Sequence, residues 1–308
     1  MNTSALRLVA LLLVGSVTTF FDAAAPSRVG AQVPVERRRA VTPTASLRMM
    51  GGFGELRIIG WEKDSVVVVG KLPQGTRLEG NFGGTADNSP ASGMKMFVEL
   101  PDEAQSAQAR LTMYIPQGAR LWVKGGSADV TATGVTGSLD INVIGGSVQV
   151  TGSPRELTIE AMDASVRVNG SPEWVRAKTA TGDIAFVGGS GDATLSTVSG
   201  TIHLSGGKVE RAKLETITGG VTFAGDLSKQ SSLDVNTHSG AIEIAIPRSS
   251  SAFLDVASMV GTIDNALTGR PAIAGREHRG QEIGVQVGDG SSRIYVRTFK
   301  GNVKLRAR

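Results

Sequence analysis

The sequence predicts an all-β repeat protein: a single-stranded β-solenoid, or β-helix-like stack, of coils of 18–21 residues with a less regular β N-terminal part. Three observations carry that prediction. Glycine supplies 40 of 308 residues while aromatics supply only 5%, a composition of tight turns and small side chains. Stretches such as "LDINVIGGSVQVTG" (139–152), "LSTVSGTIHLSGG" (195–207) and "IYVRTFKGNVKL" (294–305) alternate apolar and polar residues on both sides of a glycine, the period of half-buried strands. These stretches recur at a near-constant interval, as stacked units do when none can bury its inner side alone.

Residues 1–31 read as a secretory signal peptide. Arg7 precedes the short apolar run Leu8–Val17, and small residues follow, with cleavage expected after Ala31. Leu8–Phe21 is too short for a spanning helix, and a retained anchor is the alternative. The chain has no cysteine, so neither an acylated cysteine nor a disulfide can hold the exported protein. The expected location is therefore periplasmic, cell-surface or extracellular.

Residues 32–46 read as a flexible arm in which Glu36–Arg39, "ERRR", is solvated. Residues 47–118 form an irregular β region. In it Gly54, Leu56 and Ile58 echo one coil, Asn81–Gly93 is a loop, and strands follow at Met94–Leu100 and Ala109–Ile115. Pro116 ends the second strand, since proline cannot donate to a ladder.

Residues 119–308 form the repeat domain. Gly126, Gly146, Gly182, Gly200, Gly219, Gly240, Gly261 and Gly301 occupy one column of corners, with Ala164 standing in once. Gly261 and Gly301 lie 40 residues apart, which fits two coils. At each corner glycine allows either a positive φ or close approach to the next coil. Three residues before the column stand Thr179, Thr197, Thr216, Thr237, Ser258 and Thr298 at an inward parity. These hydroxyls form either a ladder bonded to neighbouring turns or a ligand-binding row. Exposed ends of such a stack need caps.

Catalytic chemistry finds little support. A β-helix polysaccharide lyase or hydrolase needs clustered outward carboxylates, and the outward columns offer Asp234 and Asp255 as a like-charged neighbouring pair. His203, His238 and His278 share no metal-binding spacing. No nucleophile elbow or phosphate loop occurs, and no catalytic residue, metal or cofactor is assigned.

The last coil is basic. Arg293, Arg297, Lys304, Arg306 and Arg308 share the outward parity with Tyr295 and Phe299 nearby. They read as an end cap that blocks edge-to-edge growth, as a docking face for an anionic envelope polymer or lipid surface, or as both. Another envelope protein is a further possible partner. The net charge of +4 is too mild for nucleic-acid binding.

"GELRIIGWEKDSVVV" (54–68), "IPQGARLWVKGGSADV" (115–130) and the run of L-x-V-x-T-x-S-G-x-I-x-L coils resemble the DUF4097 family of bacterial β-strand repeat proteins, over roughly Leu47–Arg308. The resemblance implies an exported or envelope-associated, adhesin-like protein, sometimes linked to envelope stress, and carries over no catalytic residues. The expected function is a non-catalytic binding or scaffolding surface; a carbohydrate-active β-helix enzyme and a self-assembling scaffold are the alternatives.

Overall fold

The computed structural model describes residues 32–83, 89–100, 108–275 and 279–308. The expected leader and His278 lie outside the described residues. The described chain is all β, with 22 strands joined in one continuous sheet that coils on itself.

The middle of the molecule is the regular stack that the repeat predicts. A coil runs along one face, turns at the glycine corner and returns along the other. β7 (Arg120–Gly125) and β8 (Ser127–Thr133) make one coil, while β9 (Ser138–Thr151) and β10 (Glu156–Asn169) each pass through the corner unbroken. β11 (Trp174–Lys178), β12 (Ile184–Val187), β13 (Ser190–Thr197), β14 (Ile202–Thr216), β15 (Val221–Thr237) and β16 (Ile242–Ile246) continue the winding. All are parallel with the coil before, as in Leu157 with Leu139 and Leu195 with Ala177, and the β14–β15 pairing shifts register between Ser205 and Lys208 and between Val209 and Arg211.

Alternation sends Leu139, Ile141, Val148, Val150, Leu195, Ile202, Leu204 and Phe223 into the space between the faces, where they are fully buried. Each such side chain contributes about 1.5–3 kcal/mol, and the summed burial holds a chain without disulfides together.

The column of corners is real, with one exception. In the register of the strands Gly146 lies beside Ala128, not Gly126. A Cβ on Gly126 would meet nothing, whereas one on Gly200 or Gly219 would overlap the carbonyl of the preceding corner. Gly182, Gly200, Gly219 and Gly240 are thus required for close approach between coils, and none has a positive φ; Gly146 alone in the column has one, +97°.

Both ends depart from sequence order. β1 (Gln32–Gly51) continues into β2 (Phe53–Trp61), and this first coil is not terminal. Residues 46–51 of β1 lie between β5 (Ala91–Glu99) and β7, while β2 lies between β6 (Ala109–Pro116) and β8. The outermost coil, β5 with β6, is capped by antiparallel strands: β3 (Ser65–Pro73) on β6 and β4 (Arg77–Gly80) on β5.

Residues 32–46, expected as a flexible arm, are strand. Gln32–Ala40 pairs antiparallel with Pro73–Ser65, and Arg39 is buried opposite Val66. The unpaired edge of β3 supplies hydrogen-bond partners that composition does not reveal.

The C-terminal end repeats the device. β21 (Ser292–Thr298) and β22 (Val303–Ala307) are inserted between the β15–β16 coil and the coil made by β17 (Ala252–Ser258) and β18 (Ile263–Asn265). β20 (Gln281–Val287) then runs antiparallel on β17, and β19 (Ile273–Ala274) on β20. The end-cap reading of the last coil is corrected: β19 and β20 form the cap, and the C-terminal coil is interior. Its edges are covered on both sides by parallel partners.

Candidate functional site

The buried hydroxyl column is a ladder and holds the corners. Thr197 Oγ1 accepts the amide hydrogen of Gly200 at 3.1 Å and donates toward the carbonyl of Gly182 at 3.3 Å. Thr216 with Gly219 and Thr237 with Gly240 repeat the bond at 3.0 Å. Ser258 Oγ donates to Gly301 O at 2.7 Å, confirming that these distant corners are stacked. Every hydroxyl here except that of Thr298 has a local partner, which a buried polar group needs. The row serves the scaffold.

The basic residues of the last coil are set among acids. Arg297 Nη2 pairs with Asp255 at 2.7 Å, Arg308 Nη2 with Asp226 at 2.9 Å, and Arg306 with Glu243. Lys304 lies in register between Glu243 and Asp264, and Arg293 reaches the Tyr295 hydroxyl at 3.3 Å. The insertion of β21 and β22 between two carboxylate-bearing coils makes this face a lattice of alternating charge.

Insertion also separates the acidic pair of Asp234 and Asp255. Asp234 and Asp255 each face Tyr295, one on either side of β21, so they are two strand spacings apart, about 10 Å. Asp234 accepts from Asn236 Nδ2 at 2.7 Å. They are not adjacent, and no shared proton or cation follows from them. His203 points outward on β14, and His238 stacks on Phe299 with ring centroids 5.0 Å apart.

The structure instead gathers residues that sequence alignment kept apart. On the outer side of the face bearing β7, one row runs Arg48, Trp122, Asp140, Thr158, Arg176 in register. The adjacent row runs Ser46, Arg120, Ser138, Glu156, Trp174. Aligning Gly126 with Gly146 displaces the first coil by two residues; the true register places Trp122 beside Asp140 rather than Asn142.

The two rows enclose an open groove of about 460 Å³, with Trp122 and Trp174 among its walls. The guanidinium of Arg48 lies 6.0 Å from the Trp122 ring centre. Partial burial, opposed by a 2.6 Å bond from Asn142 Nδ2 and reinforced by the charge of Glu160, raises the pKa of Asp140. Ser138 Oγ donates to Glu156 at 3.2 Å.

A second exposed feature follows the corners themselves. The residue after the last inward position before each corner projects outward, giving a ridge of Ile144, Met162, Val198, Ile217, Phe299 and Met259, interrupted by Ala180 and His238. Its stacking order is read from Val198 N to Ala180 O, Ile217 N to Val198 O, and Met259 N to Thr298 O. Val198, Ile217, Met259 and Phe299 fall in the bends between strands, outside the alternation that marks inward residues.

The Toastrack DUF4097 family profile matches residues 32–306. No curated protein matches the chain. Among solved structures, a candidate cell adhesion protein from Clostridium sporogenes ATCC 15579 is 11% identical, covering 90% of this chain and 100% of its own, with a TM-score of 0.24. A candidate adhesin from Bacteroides fragilis NCTC 9343 is 12% identical, covering 89% of this chain and 97% of its own, with a TM-score of 0.39.

Proposed function

This chain belongs to the Toastrack DUF4097 family, and for it we propose a non-catalytic, exported, adhesin-like role: a rigid coil stack that presents binding surfaces at the cell envelope. The observation that carries the reading is the division of labour between the two sides of each strand. Inward positions repeat from coil to coil and are locked by the hydroxyl ladder. Outward positions vary, and between Trp122 and Trp174 they form a groove. Binding surfaces built on a rigid scaffold lose little conformational entropy on association. Export is supported by the short apolar leader, and the family match begins at Gln32, directly after the expected cleavage point.

Sedimentation with isolated cell envelopes tests this role. Saturable co-sedimentation of the protein without release of reducing ends or unsaturated products supports it. Failure to bind, or turnover on a polysaccharide panel, overturns it. A partner of anionic polymer or lipid at Arg293, Arg297, Lys304, Arg306 and Arg308 belongs to the same proposal. Three of these five already pair with carboxylates, so such binding would compete with internal ion pairs and fall with salt.

The corner ridge favours a second reading, a scaffold of associated copies. Clustered exposed apolar side chains mark interaction surfaces, and Ile144 is 57% and Met162 62% exposed. Light scattering at high concentration checks it: a strict monomer removes this reading.

A further inference from the structure

We propose that the groove between Trp122 and Trp174 binds an extended, uncharged β-linked glycan, with one sugar per coil and the terminal rings stacked on the two indoles. The assignment rests on reading this face as the binding surface and names its ligand.

Three features of the groove select that chemistry. First, two of the chain's three tryptophans border it, and Trp174 is 36% exposed, high for so large an aromatic. An indole offers a broad apolar face suited to the C–H face of a pyranose, while its edge stays compatible with water.

Second, the spacing is periodic. Trp122 stands on β7 and Trp174 on β11, with β9 and β10 between. Three steps across parallel strands, with the two-residue offset between the rows of the two indoles, span about 16 Å. The rise of each step is close to that of one sugar in an extended β-linked chain. A glycan lying across the strands thus meets Asp140, Thr158 and their neighbours in the same rhythm as its own rings.

Third, the charges balance. Two arginines, Arg48 and Arg120, and two carboxylates, Asp140 and Glu156, line the groove. A polyanion would meet two carboxylates and a polycation two guanidiniums. Vicinal hydroxyls, which both donate and accept, can satisfy all four groups at once. Asp140 is already partly withdrawn from water, so a hydroxyl donor there is not fully screened by solvent.

Isothermal titration of the protein with cellohexaose, xylohexaose, mannohexaose and chitohexaose tests the proposal, with glucose as the short control. Saturable binding of at least one hexaose, far tighter than glucose, is expected. Trp122→Ala and Trp174→Ala should each weaken it roughly tenfold, the scale of one aromatic contact, and Trp122→Phe should recover most of the loss. Thr158→Arg, which fills the groove from an outward position, should abolish binding without disturbing the buried columns.

No binding by any hexaose overturns the proposal, as does binding unchanged in Thr158→Arg or in tryptophan variants that melt like the parent. The two levels separate cleanly. Co-sedimentation with envelopes but no glycan binding removes only the ligand. Glycan binding without envelope co-sedimentation removes the envelope role and leaves the groove.

Discussion

Thr197 holds Gly200 in place: the threonine hydroxyl oxygen accepts the glycine amide hydrogen at 3.1 Å inside the corner of one coil. The same hydroxyl faces the carbonyl of Gly182 in the coil before, so one side chain both shapes its own turn and ties it to its neighbour. Thr298 occupies the same column, yet its Oγ1 is buried without a partner. Replacing Thr197 by valine should therefore cost about 1–2 kcal/mol, because the buried amide of Gly200 loses its acceptor. Thr197→Ser should cost less. Thr298→Val should lie within about 0.5 kcal/mol of the parent or stabilise it, since no bond is lost. Urea unfolding of the three variants checks the order, and equal losses would contradict it.

Two glycines of the same sequence column should respond in opposite ways to a methyl group. At Gly219 a Cβ would overlap the carbonyl of Gly200, while at Gly126 it would enter open space. Gly219→Ala is expected to cost upward of about 2 kcal/mol as the coils are forced apart. Gly126→Ala should change stability by less than about 0.5 kcal/mol. Thermal melts of both variants decide the matter.

Removal of the C-terminal coil should act as the loss of an interior layer. β21 separates β15 from β17, and β22 separates β16 from β18. A chain ending at Asp289 should leave β17 and β18 without their parallel partners and the β19–β20 cap without a stack to close. Amide exchange is expected to show protection lost from residue 252 onward and retained in β9 to β13. Protection persisting in β17 would refute the insertion.

Asp140 gives the fold a measurable pH dependence. Burial is the main cause that raises its pKa above the ordinary 3.8. A carboxyl with a raised folded-state pKa favours folding when protonated. Its contribution is complete below the unfolded value and is lost as pH rises through the folded one. Asp140→Asn should therefore raise the urea midpoint at neutral pH, with the advantage shrinking once the carboxyl is protonated. A midpoint difference independent of pH would show that Asp140 carries no such strain.

The ion pairs of the last coil should matter little to stability. Arg297 with Asp255 and Arg308 with Asp226 are both partly exposed, and such pairs contribute at most about 1 kcal/mol. Arg297→Ala and Arg308→Ala are each expected to fall within that range, and the effect should diminish in high salt. A larger, salt-insensitive loss would contradict this.

Local pattern determined a good deal by itself. Alternation around Leu139, Leu195 and Leu233 identifies which side chains face inward, because successive residues of a strand point to opposite faces. The spacing of Thr197 to Gly200, repeated at Thr216 and Thr237, marks the corners and their ladder. All of this depends on neighbours along the chain or on coils of nearly constant length.

Tertiary structure decided what depends on which strands lie side by side. Hydrogen-bond ladders between strands are indifferent to chain order, so the coil of Gly301 could enter between those of Gly240 and Gly261. That insertion parted Asp234 from Asp255, paired Arg297 with Asp255 and moved the cap to β19 and β20. At the other end a two-residue shift in register brought Trp122 beside Asp140 and opened the groove that ends at Trp174. The side-chain period is two, so that shift kept every inward residue inward. The sequence pattern of the core is therefore the same with or without it, and only the outer surface records the difference.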